Sequence, residues 1–367
     1  MTLLRSLRRP IVAAPMAGGP TTPALAAAVS NAGGLGFLAA GMLSTERMLE
    51  DIHRIRTLTS RPFGVNVFLP NAEAEADDPN AESEGDDPNA EAEADNAVHA
   101  YAQRLAPEAA RWGVTLGRPV GGDDQAPAKI AALLDEPVAV VSFVFDLPDK
   151  LTVRAFHDGG SEVWATVNHP DAAVEAQRRG VDAIVVQGTE AGAHRGGAFD
   201  GDDYGLLPLL RLAAARVGTP LVAAGGIVDG AGIAAALAAG ASAVQLGTAF
   251  LRCPEAGTLP MHRAAVAEPA DTQLTRAFTG RRARAVVNDF VTAYDATAPR
   301  AYPQVLQVTQ PLLAAARRAN DASSVNLWAG QAHELTRDVP AARLVEELMS
   351  EAFAALGSLN ERFTSWE

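Results

Sequence analysis

Apolar residues gather into eight short runs along the chain, at 11–16, 35–40, 63–68, 138–145, 163–168, 183–187, 221–224 and 243–250. Most are closed by glycine or proline. Continuous runs of this length, without polar alternation, predict strands buried on both faces. Alanine-rich segments with helical spacing lie between them, such as 22–32, 171–179 and 230–239, and Gly33, Gly180 and Gly240 stand where helix C-caps are expected. Strand and helix alternating eight times predicts an α/β fold, a closed (β/α)8 TIM barrel, because right-handed crossovers leave few other arrangements. An open doubly wound sheet is the competing arrangement. Against it, APMAGGP follows the first run where a dinucleotide fold carries Gly-x-Gly-x-x-Gly. After Phe250 the alternation stops, and helices are predicted over 272–278, 312–319 and 341–356, the last opened by Pro340. The expected organisation is a barrel over 1–253, a helical cap over 254–335 across one end, and a segment 336–367 whose helix returns to the barrel.

Composition sharpens this picture in one place. The third and fourth runs are separated by a threefold nine-residue repeat, NAEAEADDP, NAESEGDDP and NAEAEADNA, over 71–97. It has no apolar stripe to bury and repels itself, so a disordered or loosely helical insertion is expected. Residues 71–95 hold eleven acids and no base, which is eleven of the fourteen net negative charges of the 367-residue chain. The remainder is nearly balanced, which points to neither a nucleic-acid partner nor an anionic membrane surface. No apolar stretch has the length of a membrane span, and the run after Arg5, Arg8 and Arg9 is broken by Pro15 where an export signal needs an uninterrupted core. The single cysteine, Cys253, excludes an internal disulfide and a multi-cysteine metal site, so no metal is expected and a reducing cytoplasm is the default compartment.

The candidate chemistry centres on AIVVQGTEAGAHRGG, residues 183–197. A buried strand stops at Gln187, and a loop with four glycines then packs Glu190, His194 and Arg195 together. In barrels of this kind, active residues sit at the C-terminal ends of strands. Those ends read Pro15 and Met16, Ala40 and Gly41, Asn66, Ser142 to Asp146, Thr166 to Asn168, Gln187 to His194, Gly225 and Gly226, and Gln245 to Thr248. Amides and bare backbone dominate this rim, which suits a large, flat, hydrogen-bonding heterocycle better than a metal ion. The seventh and eighth ends, VAAGGIVDGAG and AVQLGTAF, supply glycines and Asp229 as a helix N-cap. Loops after these strands are the usual phosphate site of barrels.

Taken together, QGTEAGAHRG, AAGGI, QLGTAF, GVN at 64–66, PIVAAPMAGG, NAGGLGFL and LWAGQ at 327–331 resemble the nitronate monooxygenase family, formerly 2-nitropropane dioxygenases. The likeness spans nearly the whole chain and omits only the acidic repeat. It implies an FMN-dependent barrel with a helical second domain. The FMN contacts it implies are Pro15, Met16, Asn66, Gln187, Gly192, Gly225, Gly226, Gln245, Leu246, Gly247 and Thr248, and His194 matches the catalytic histidine. An imidazole titrating near neutrality can take a proton from carbon α to a nitro group, or pair as imidazolium with a nitronate. The implied reaction is oxidation of propionate-3-nitronate or alkyl nitronates by dioxygen to a carbonyl product and nitrite. One departure stands out: Ala193 precedes the histidine where the family usually has glycine, at a cost of about 1 kcal/mol if φ is positive there.

FMN-dependent NAD(P)H reductases of enoyl thioesters or quinones carry a similar loop on the same barrel, and a flavin-free phosphate-ester lyase or isomerase barrel is the third reading. For the reductases, Arg281, Arg282 and Arg284 could offer a basic patch to an acidic carrier protein, with internal pairing as the plainer reading. Tyr294, Tyr302, Trp328 and Gln331 are candidates for the pocket wall, with ordinary packing as the plainer reading of each. Nothing in the sequence separates a monomer from a homodimer.

Overall fold

The computed structural model describes residues 2–69, 88–198 and 203–365. Eight parallel strands form the barrel: β1 (Ile11–Ala13), β2 (Gly36–Ala39), β3 (Phe63–Phe68), β4 (Val140–Val144), β5 (Glu162–Val167), β6 (Ala183–Gln187), β8 (Leu221–Ala224) and β9 (Ala243–Leu246). The missing number is a two-residue strand outside the barrel, β7 (Ala193–His194). β1 pairs with β9, and the ring closes between β1 and the entry to β2. There Val12 bridges Leu35, with Leu35 N–H donating to the Ile11 carbonyl and Ala13 N–H to that of Leu35, both at 2.9 Å. Each apolar run of the sequence holds one of these strands. The runs 63–68, 183–187 and 221–224 coincide with their strands, and the others extend beyond them.

Alternate residues of each strand serve two cores. On β6, Ala183 and Val185 face inward with Val12, Phe37, Val140, Trp164 and Val222, while Ile184 and Val186 pack against the outer helices. Trp164 and Phe37 fill the interior with ring centroids 5.6 Å apart, and Leu4, from the short helical turn Leu3–Ser6, joins this cluster. Burying side chains of this size contributes about 2–3 kcal/mol each.

Helix boundaries follow local chemistry. Thr22 caps Pro23–Asn31 by accepting from Leu25 N–H, and Asp229 caps Gly230–Ala238 by accepting from Gly232 N–H at 2.8 Å. Gly33, Gly180 and Gly240 all lie at positive φ, as C-terminal stops require. The last helix, Ala341–Thr364, packs on Gly230–Ala238 so closely that a Cβ on Gly230 would stand 2.3 Å from the Cβ of Glu351.

Beyond the barrel, one sequence expectation fails. Residues 272–278 are not helical: Thr272–Thr275 is strand β10, which pairs antiparallel with β11 (Ala283–Val286), and β11 pairs with β7. The helix expected over 312–319 runs from Gln304 to Arg318 and accommodates Pro311, and the last helix continues past Leu356 to Thr364. A second core joins Phe278, Phe290, Val305, Val308 and Leu312 of the C-terminal part to Val98, Tyr101 and Leu105. The latter belong to the β3–β4 insertion, whose helix Pro88–Arg104 contains the third acidic repeat. The first two repeats, up to residue 87, lie outside the described residues.

Candidate active site

A cavity of about 410 Å³ lies at the C-terminal ends of the barrel strands and is lined also by Leu306, Leu313 and Trp328 of the C-terminal part. That volume is in the range of small-molecule sites. Pro15, Met16, Asn66, Gln187, Gly192, His194, Gly225, Gly226, Gln245, Gly247 and Thr248 all line it. Leu246 does not: its side chain is 1% exposed in the core between barrel and helices, and its carbonyl accepts Ala14 N–H. This follows from strand alternation, which turns the residue between Gln245 and Gly247 outward.

The three ionisable groups of the 188–197 loop have separate duties. Glu190 accepts the Leu206 N–H at 2.9 Å and so caps the helix Leu206–Ala214. Arg195, 2% exposed, donates to the carbonyls of Gly188 and Gln187 and holds the loop to its own strand. Gln187 ties the far end down, its amide nitrogen donating to the His194 carbonyl at 3.1 Å and its oxygen accepting Gly196 N–H at 2.8 Å. Segment 327–331 closes over the loop: Gln331 N–H donates to the Glu190 carbonyl, and a Cβ on Gly192 would lie 2.6 Å from Gly330 N. Only His194 turns its chemistry to the cavity.

Its environment is built by aromatic residues and an arginine that the sequence had brought forward, and by Thr279, which sequence reasoning missed. Thr279 lies at the turn between β10 and β11, and its hydroxyl is 2.9 Å from His194 Nε2 and 3.1 Å from the Arg281 carbonyl. The hydroxyl has one proton, which goes to that carbonyl, so it accepts from Nε2–H. The imidazole is thereby held as the Nε2–H tautomer, with the Nδ1 lone pair free. The rings of Phe145, Tyr302 and Trp328 stand 5.6–5.7 Å from it. Burial, reinforced by the Arg281 charge, pushes its pKa down to about 3, so the imidazole is neutral at physiological pH. Ala193, immediately before it, sits at φ +62°.

The arginine cluster is internal. Arg282 pairs with Asp203, Arg281 donates to the carbonyls of Arg195 and Gly197 and stacks 4.2 Å from Phe145, and Arg284 donates to the Thr189 carbonyl. Among the aromatic candidates, Trp328 lines the cavity and Tyr302 touches His194, whereas Tyr294 packs on Phe290 in the second core. The motif TGRRAR marked the turn in the sequence, but for its arginines and not for Thr279.

At the tips of β8 and β9 the backbone is laid open. Gly225 and Gly226 have φ of +120° and +69°, and a Cβ on Gly226 would press on that of Glu190 at 3.0 Å. No acceptor among the described residues takes the N–H of Gly226, Gly247 or Thr248. The neighbouring helix N-terminus is already occupied by carboxylates, since Gly230 N–H donates to Glu351 and Gly232 N–H to Asp229. A phosphate would therefore rest on the loop amides. No aspartate or glutamate among the described residues lines the cavity, which fits an anionic, amide-bearing heterocycle.

Residues 2–351 match the nitronate monooxygenase family. Nitronate monooxygenase of Paraburkholderia phytofirmans is 39% identical over 98% of this chain and 96% of its own, and that of Pseudomonas aeruginosa is 40% identical over 95% and 98%. Among solved structures, nitroalkane oxidase from Streptomyces ansochromogenes superposes with a TM-score of 0.89 and 46% identity over 97% of this chain and 99% of that one. FabK from Thermotoga maritima is more distant, at 0.73 and 25% over 98% and 97%. On this coverage and identity, the chain belongs to the nitronate monooxygenase family, a family of flavin-dependent enzymes.

Proposed function

We propose that the protein binds FMN in this cavity and oxidises nitronates with dioxygen to a carbonyl product and nitrite. The observation that carries the reading is a neutral, tautomerically fixed His194 in a cavity free of carboxylates, above amides open to a phosphate. Gly226, Gly247 and Thr248 would hold the phosphate, and Pro15, Met16, Asn66, Gln187, Gly192, Gly225 and Gln245 would border the ring system. FMN, when bound, supplies the electron acceptor for the nitronate and the site of reaction with dioxygen.

The chain's own part is proton control and exclusion of water. Thr279 fixes Nε2–H, so any proton His194 takes arrives at Nδ1. In its apolar surround the imidazole is a weak base toward carbon, which favours a substrate that arrives as the nitronate over one that must be deprotonated. An anion beside Nδ1 offsets the burial and lets the ring hold a proton against it.

The greater likeness to the nitroalkane oxidase than to FabK supports oxidation over an NAD(P)H-driven reduction. Purified protein is expected to be yellow, and nitronate added in air to consume oxygen and yield nitrite with no NAD(P)H present. Anaerobic bleaching by NADH, with no response to nitronate, would sink this reading in favour of a reductase.

A further inference from the structure

Along β4 the side chains alternate as a barrel strand requires: Val141 and Phe143 pack outward among the helices, while Ser142 and Val144 line the cavity. The next residue, Phe145, should point outward again. It lines the cavity instead, because its backbone turns left-handed, at φ +76°. An aromatic residue is strongly disfavoured in that region, and such a conformation persists only where the surrounding contacts impose it. Here the Phe145 N–H donates to the Gly196 carbonyl at 2.6 Å, which ties the end of β4 to the end of the 188–197 loop.

The strained turn delivers one ring, 4% exposed, into the middle of the site. Its centroid lies 5.7 Å from that of His194, 5.4 Å from that of Tyr302 and 4.6 Å from that of Phe68. The guanidinium carbon of Arg281 stands over it at 4.2 Å, a cation–π contact. Phe145 thus touches both the imidazole and the cation that acts on it. Other charged groups on the elements around His194 are turned to different tasks. Arg282 pairs with Asp203 and Arg284 donates to the Thr189 carbonyl, while within the loop Glu190 accepts the Leu206 N–H and Arg195 donates to the carbonyls of Gly188 and Gln187. Burial, with the charge of Asp124 adding to it, holds Tyr302 above its ordinary pKa and un-ionised, and His262 donates to the carbonyl of Trp328. Burial and Arg281 together set the protonation of His194, and Phe145 contributes to each.

We propose that Phe145 is a positioning residue for His194: turned into the cavity by its left-handed backbone, its ring keeps water from the imidazole and holds the Arg281 guanidinium in a fixed place beside it. The inference rests on His194 as the reacting base of the nitronate reading, but its test needs no substrate, so failure here and failure of that reading are told apart. The His194 ring is followed by NMR in FMN-loaded protein carrying isotope-labelled histidine, its signal assigned by its absence in His194→Asn. The wild-type ring is expected to stay unprotonated between pH 8 and 5. Phe145→Ala admits water and releases the guanidinium, and should move the titration up by about two pH units or more, into that window. Phe145→Leu keeps most of the volume but not the π face; it should show the onset of protonation at the acid end of the window, and it decides alone where the alanine variant fails to fold. Phe145→Tyr keeps the ring and is expected to match the wild type. The acid limb of kcat/KM for a neutral nitroalkane should move with the titration. A role confined to stability would lower the melting temperature of these variants and leave the titration of the folded protein where it was. A ring that stays unprotonated to pH 5 in Phe145→Leu with FMN bound overturns the proposal. Loss of FMN from that variant also overturns it, because Phe145 would then serve the cofactor site.

Discussion

At His194 and its neighbours, single atoms decide the chemistry. His194→Asn keeps the shape of the cavity and should retain FMN while losing about 100-fold or more of turnover, as measured by oxygen uptake. The pH profile is a finer probe. For a neutral nitroalkane, kcat/KM reports the free enzyme's base, so its acid limb should lie well below the ordinary histidine value of 6.5, with a plateau from pH 8 to below 5. Arg281→Gln removes the cation that reinforces the burial and should move that limb upward; a limb near 6.5 in the wild type would mean the imidazole is solvated. Thr279→Val leaves Nε2–H unpaired and frees the tautomer, and a loss of about 10- to 100-fold in kcat is expected, in line with a buried donor left unmet. Ala193 bears a methyl at φ +62°. Replacing it with glycine should raise the unfolding free energy by about 1 kcal/mol in denaturant melts, without loss of flavin.

At the scale of elements, the barrel was legible because each buried strand writes itself as an apolar run and each helix stop as a glycine. The hairpin that completes the site was not. β10 reads TQLT and β11 reads ARAV, with polar side chains at half their positions, and β7 is two residues long. Their pairing is a tertiary fact: Ala283 faces His194 across the ladder, 89 residues away in sequence. Thr279 reaches the His194 ring by that route, which no local pattern records. The positions implied for FMN were easier, since strand tips inherit their place from the barrel, and Leu246 fell outside the cavity because alternation turns it away. The tips also make a prediction of their own. Gly226→Ala forces a methyl onto Glu190 at an unfavourable φ, so flavin affinity should drop about tenfold or more in fluorescence titration while the far-ultraviolet spectrum stays unchanged. Undiminished affinity would move the phosphate away from these amides.

For the whole molecule, the cavity histidines couple stability to pH. His194 and His262 are both held below 6.5 in the folded chain, chiefly by burial, whereas in the unfolded chain they titrate normally. Above pH 6.5 neither state binds the extra protons and nothing is lost. As pH falls below 6.5 the unfolded state takes protons that the folded state refuses, so stability declines, for His194 down to its folded value of about 3. The slope reaches about 1.4 kcal/mol per pH unit for each proton of difference. Acidification also relieves the self-repulsion of a chain at −14, which works the other way, but carboxylates titrate mainly below pH 5. Between 6.5 and 5 the histidines dominate. Urea melts of the apoprotein across that window should show falling stability, and His194→Asn should flatten the curve by about one proton's worth. A wild-type stability that is level over this range would show that the ring is open to water in the absence of flavin, and the dry, neutral base would have to be given up.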